Sequence, residues 1–163
     1  MKRKIPSMVV FLVVLFAGNL FAAGSLTVST TPVTFGVYDL FSLTDNTTGQ
    51  GEVAVTYVVG PNPNPPINYT ITISASPNSG GINPRTMKLS PATADSLNYN
   101  VYTDAARTII WNNVITGGAD NVRNNVKRND PQPQRTPIYG RITALQDVGS
   151  GVYSDILTVT ITW

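Results

Sequence analysis

The run YSDILTVTITW, Tyr153–Trp163, decides the fold. Successive side chains of an extended chain point to opposite faces, so Leu157, Val159, Ile161 and Trp163 share one face and Thr158, Thr160 and Thr162 the other. The pattern predicts a strand with one buried face that runs to the last residue. A large aromatic closing the buried row implies that this strand is built into a sheet, and that something covers the edge beside it.

The same period recurs upstream. Glu52–Val59 places Val53, Val55 and Tyr57 on one face, Asn68–Ala75 places Tyr69, Ile71 and Ile73 together, and Leu97–Thr103 does the same with Leu97, Tyr99 and Val101. Leu26–Ser29 and Val33–Phe35 read as two edge pieces broken at Thr31-Pro32, with shorter pieces at Thr86–Leu89 and Ile109–Trp111. Gly60–Pro66 (GPNPNPP) holds four of the 12 prolines and reads as a stiff connection, since proline cannot serve an interior strand. Gly117–Pro137 carries Arg123, Lys127, Arg128 and Arg135 among Asn, Asp, Gln and Pro, and reads as a solvated loop or irregular hairpin. Nothing after the first residues keeps a helical period. Many short strands with Gly- and Pro-rich turns predict an antiparallel β-sandwich.

The chain opens with Lys2, Arg3 and Lys4, then the apolar run Met8–Ala17 (MVVFLVVLFA), then Gly18-Asn19 and the small residues Ala22, Ala23 and Gly24. This order is that of a secretion signal over residues 1–23, with the domain occupying 24–163. About 20 apolar residues are needed to cross a bilayer, so the run is too short for a span. Three of the 11 basic residues belong to the leader, which leaves eight against 9 acidic ones. The basic balance is a property of the leader, and it gives no argument for nucleic acid. The basic segment near residue 123 also lacks the interleaved aromatic residues that stack single-stranded bases.

With no histidine and no cysteine, the sequence lacks the usual general base and the commonest metal ligands. Asp39, Asp45 and Asp147 have no calcium-loop spacing, Asp104 and Arg107 read as a local turn pair, and Asp155 as an edge charge. Asn46-Thr47-Thr48 and Asn68-Tyr69-Thr70 match a glycosylation sequon, a frequent coincidence in a chain rich in Asn and Thr. Tyr38, Trp111 and Tyr153 are candidates for stacking on sugars, although aromatics in a sandwich more often fill the core. No catalytic residue, cofactor site or metal site emerges, and the chain reads as a non-enzyme.

Four stretches carry a family resemblance: Ser25–Asp39 (SLTVSTTPVTFGVYD), with Phe35 inward and Gly36 freeing the backbone; Gly51–Val58 (GEVAVTYV); Leu97–Thr108 (LNYNVYTDAART); and YGRI at 139–142 followed by YSDILTVTITW. In this order, behind a leader, they resemble the spore coat protein U family, secreted subunits of archaic chaperone–usher pili. The family commonly has cysteines at the positions matched here by Leu26 and Tyr57. Both are replaced together, as a lost disulfide requires, and the two residues are expected to touch.

The resemblance implies an immunoglobulin-like, pilin-type sandwich that is incomplete and completed by a donor strand. Its implied partners are a periplasmic pilus chaperone, an outer-membrane usher and neighbouring pilus subunits, and its implied location is the cell surface after secretion through the periplasm. The implied roles are attachment and biofilm formation; a spore-coat or matrix protein of the same fold without an usher is the alternative. The assembly groove is expected at Leu157, Val159, Ile161 and Trp163, with Leu26 and Val28 as its opposite wall. Cleavage near Ala22–Gly24 leaves little chain ahead of the first strand for a donor segment. Three readings follow: a subunit that accepts a strand without giving one, a short donor at Ser25–Thr30 with Leu26 and Val28 as its plugs, or a domain that completes itself another way.

Overall fold

The computed structural model describes residues 4–17, 24–59, 67–91, 95–112, 122–126 and 132–163. Its elements are β1 (Lys4–Ala17), β2 (Gly24–Asp39), β3 (Gln50–Val59), β4 (Ile67–Ile73), β5 (Arg85–Ser90), β6 (Ser96–Tyr102), β7 (Val122–Val126), β8 (Gln134–Ile142) and β9 (Val152–Thr162). No helix occurs among the described residues. The proline-rich connection predicted at Gly60–Pro66 lies outside them.

The strands form one hydrogen-bonded network in the order β1-β2-β3-β8-β6-β5-β9-β4-β7, with a further ladder between β1 and β9. Every ladder is antiparallel except β1–β9. The all-β antiparallel expectation therefore holds, and β1 closes the network into a ring. The ring is curled tightly enough that Phe35 on β2 meets Tyr99 on β6 edge to face at 5.9 Å, although two strands lie between them in the ladder.

The predicted inward rows are the observed core. Val53, Val55 and Tyr57 of β3, Tyr69, Ile71 and Ile73 of β4, and Leu97, Tyr99 and Val101 of β6 are all buried in one cluster. Phe35 sits in the middle of it, over backbone with no side chains. A Cβ on Gly49 would lie 2.3 Å from the Phe35 ring and one on Gly140 2.5 Å, so only glycine fits beneath it. Gly36 follows with φ +69°, a left-handed conformation open to glycine, at an irregularity where it pairs with Met8.

Three expectations change. Thr31-Pro32 does not end a strand: β2 runs through it, with a register shift between Thr31 and Thr34. Proline has no N–H to give a ladder, and here the chain changes partner, from β3 to β1. The stretch 117–137 is not loop throughout, because Val122–Val126 forms β7 against β4 and Gln134 begins β8. Ile109–Trp111 forms only a single bridge, Tyr102 with Ile110, and its tryptophan turns inward to donate from Nε1 to the Ile71 carbonyl at 3.0 Å.

Candidate functional site

A slot one strand wide separates β2 from β9. On its inner edge β9 is divided between two neighbours: Val152–Ser154 pair with β5, and Val159–Thr162 with β4. Ser74 spans the interval, its N–H donating to the Thr158 carbonyl and its hydroxyl accepting from the Thr158 N–H, both at 2.9 Å. The other edge of β9, Ser154–Thr162, pairs with β1 alone. On the far wall, Val33–Asp39 of β2 also pair with β1. Without a strand in the slot, both rows of backbone N–H and C=O groups would lack ladder partners.

The β1 strand fits that slot on both sides. Val9–Ala17 pair with Ser154–Thr162 position by position without a shift, while Lys4–Val10 pair with Asp39–Val33 through two irregularities. Val10 is fully buried, opposite Val33 on one side and Asp155 on the other. Leu12 packs against the core opposite Leu157, and its carbonyl accepts from the Thr30 hydroxyl at 3.5 Å.

Of the residues expected to line the groove, Leu157, Val159 and Ile161 are buried on β9 and Trp163 packs against the same core. Leu26 is buried and Val28 half-buried on the portion of β2 that pairs with β3, ahead of the portion that walls the slot. Leu26 and Tyr57, the pair expected to touch, are direct ladder partners on neighbouring strands, both buried.

Sequence reading missed the polar floor at one end of the slot. Asp155 is not an edge charge: it is buried, accepting from the Tyr99 hydroxyl at 2.8 Å, Asn78 Nδ2 at 2.9 Å and its neighbour's N–H. Its number has the parity of Tyr153, Leu157, Val159 and Ile161, and that parity was the available signal. Loss of water pushes its pKa up, against the pull of hydrogen bonds from Ser76, Tyr99 and the Ile156 N–H and of the Arg85 charge. The Tyr99 hydroxyl is pushed well up by burial and by the Asp155 charge. Arg85 is fully buried and ends in a cage of main-chain carbonyls, donating to Ser74 (2.9 and 3.0 Å), Trp111 (2.8 Å), Ile73 (3.2 Å) and Ile82 (3.4 Å). Burial lowers its pKa to about 10, which leaves it charged at neutral pH. These groups hold the loop 74–82 against β9 and leave no reactive pair exposed.

The remaining candidates are structural. Tyr38, Trp111 and Tyr153 are buried and offer no ring to a sugar. Asn46 donates from Nδ2 to the Phe35 and Val37 carbonyls and accepts from Thr48, so its sequon amide is engaged. Desolvation pushes the Asp104 pKa up, but Asp104 accepts from the Ile109 and Thr108 N–H groups and the Thr108 hydroxyl, and together these bonds leave it lowered. The Arg107 backbone closes the turn to the Asp104 carbonyl, and its side chain donates to the carbonyls of Gly140 and Thr47. Among the described residues no three His, Cys, Asp or Glu side chains converge on a metal position, and no helix is long and apolar enough to cross a membrane.

No curated protein matches the sequence. Among solved structures, the minor tip subunit HdaB of the E. coli Hda pilus is similar at 14% identity, with 85% of this chain and 82% of that one covered and a TM-score of 0.43. The family model of the Spore Coat Protein U domain matches residues 13–160. That span begins inside β1, takes in β2 through β8 and ends inside β9 at Thr160, so it includes the β2 wall of the slot and most of the β9 wall. The chain belongs to the Spore Coat Protein U domain family.

Proposed function

We propose that the protein is a structural subunit of an extracellular chaperone–usher pilus, serving attachment and biofilm formation, and that the slot between β2 and β9 is its assembly site. Residues 1–23 direct export, and 24–163 form the domain. A periplasmic pilus chaperone lends a strand to the slot, and at the outer-membrane usher a strand from a neighbouring subunit takes its place. Leu157, Val159, Ile161 and Trp163 form the inner row against which the incoming strand packs, with Leu26 and Val28 in the adjoining part of β2. The role is structural and no reaction is assigned to it.

One observation carries the reading. The outer edge of β9 and the Val33–Asp39 stretch of β2 take all their ladder partners in the slot from a single strand rich in apolar residues. Four apolar side chains from such a strand would contribute roughly 6–12 kcal/mol before ordering costs, comparable with the stability of a whole domain. A coat or matrix protein of the same fold without an usher is the second reading, and the closure of the ring within one chain favours it.

The test is an unboiled denaturing gel of periplasmic and shed surface protein, with mass spectrometry of the N-terminus. The pilus reading expects partner-bound or ladder species that collapse on boiling. A free monomer, stable without any partner, would overturn it in favour of the coat. Replacing both Ile161 and Trp163 by serine is expected to abolish capture by the chaperone. Ile156→Ser, on the exposed face of the same strand, should leave capture intact.

A further inference from the structure

The pole of the molecule where the slot ends at Asp39 carries an apolar surface. Of the six large apolar side chains that stay exposed among the described residues, five lie there: Val37 (50%), Phe41 (62%), Leu43 (81%), Leu145 (62%) and Val152 (44%). The ladders bring the end of β2, the end of β8 and the start of β9 to this one pole. The loops that follow β2 and β8 are tied together. Asp45 accepts from the Ala144 N–H at 2.9 Å, and the Tyr38 hydroxyl donates to the Thr143 carbonyl at 2.8 Å and accepts from the Gln146 N–H at 3.0 Å. Leu145 is thus pinned from both sides, in a left-handed backbone with φ +59°. A leucine that is both strained and exposed costs the isolated domain, and the clustering of five such apolar groups at one pole marks a contact surface.

We propose that these residues form a docking pad for the body of the protein whose strand fills the slot. The inference rests on the acceptor reading above and adds a second contact to it. The pad is continuous with the slot, because Val37 belongs to the β2 wall and Asp39, the last wall residue, leads through Leu40 into Phe41. A strand lent by a folded partner is internal to that partner, so its chain leaves the slot at both ends, and at this end it leaves beside the pad. Charge narrows the partner further. Asp39, Asp45, Asp95 and Asp147 stand on the strand ends and loops of the same pole, with Arg141 3.7 Å from Asp45 as a counter-charge. The surface that fits is apolar with a rim of lysine or arginine, and the same carboxylates oppose an anionic membrane.

The two contacts divide the work. Ladder hydrogen bonds in the slot serve any apolar strand of the right length, whereas the pad responds only to a strand that arrives on a matching body. A partner's strand is thereby told from a loose extended segment.

The test exports the full chain together with the periplasmic pilus chaperone of the same organism and purifies the complex by a tag on the chaperone. A labelled peptide with the sequence of residues 4–17, made soluble by terminal lysines, then displaces the chaperone. The double variant Phe41→Ser, Leu43→Ser should release the chaperone about thirtyfold faster than the wild type, the effect of one hot spot of about 2 kcal/mol, while peptide fills its slot to the same final extent. Ile156→Ser, exposed on β9 away from the pad, should release it at the wild-type rate. Leu145→Gly separates docking from folding. Glycine suits φ +59°, so this variant filled with peptide should melt no lower than the wild type filled likewise, and should still release the chaperone faster. Release at the wild-type rate from both pad variants, or a clearly lowered melting temperature for Leu145→Gly, overturns the pad and leaves the acceptor reading standing. A wild-type chain that yields no complex and takes up no peptide overturns the acceptor reading itself.

Discussion

Arg85 is the residue whose replacement should cost most outside the apolar core. Its guanidinium serves carbonyls from Ile73, Ser74, Ile82 and Trp111 at once. Arg85→Met keeps much of the volume but leaves those acceptors without a donor, and a loss of about 3 kcal/mol in urea unfolding is expected. A second prediction concerns Phe35: Gly140→Ala puts a methyl against its ring and should destabilise, and adding Phe35→Leu should recover part of the loss, a coupling that a double-mutant cycle measures. Asp155 gives a prediction in pH. Its folded pKa is raised, so between about 3.8 and the raised value the folded state binds more protons than the unfolded one, and this group's contribution to stability falls as pH rises through that window. Asp155→Asn should flatten that part of the profile of melting temperature against pH; an unchanged slope would place the titration elsewhere. None of these roles stands out in the sequence except by parity, because a charged residue in a strand reads as solvent-facing until its partners are known. Those of Asp155 come from residues 78 and 99.

Among the elements, the strands that sequence reveals are those with one wet face. β3, β4, β6 and β9 alternate, and their inward residues are the core. β1 carries no such signal, because an unbroken apolar run has no period, and length and flanking charge favoured the leader reading. β7 (VRNNV) is mostly polar and pairs with β4 alone, so neither alternation nor hydrophobicity marked it. The β2–β3 ladder supports a prediction at this scale. Leu26 and Tyr57 are opposed in an antiparallel pair, where Cβ atoms lie about 4.5–5.5 Å apart. Leu26→Cys with Tyr57→Cys should therefore form a bridge in an oxidising compartment, seen as a mass loss of about 2 Da and a gain of roughly 2–4 kcal/mol over the reduced form. Persistent free thiols under oxidation would show that the ladder register differs.

For the molecule as a whole, β1 is the strand that joins β2 to β9 and makes a ring out of an open sheet. Taking residues 4–17 away from the isolated protein should lower the unfolding midpoint and raise the binding of a dye that seeks apolar surface. Val10, fully buried, alone accounts for roughly 1.5–3 kcal/mol, and partly buried Leu12 adds less. Unchanged dye binding would mean that the slot collapses on itself. The two-sided grip also has a mechanical consequence. A pull along the axis of the strand in the slot loads the β2 and β9 ladders in shear, many bonds together, where a pull across it would open them one at a time. Sliding by one residue would turn the apolar row away from the core, so the nearest resting position lies two residues on, about 6.6 Å away. Under tension along its length, a strand held there would stay put and then slip in steps of that size.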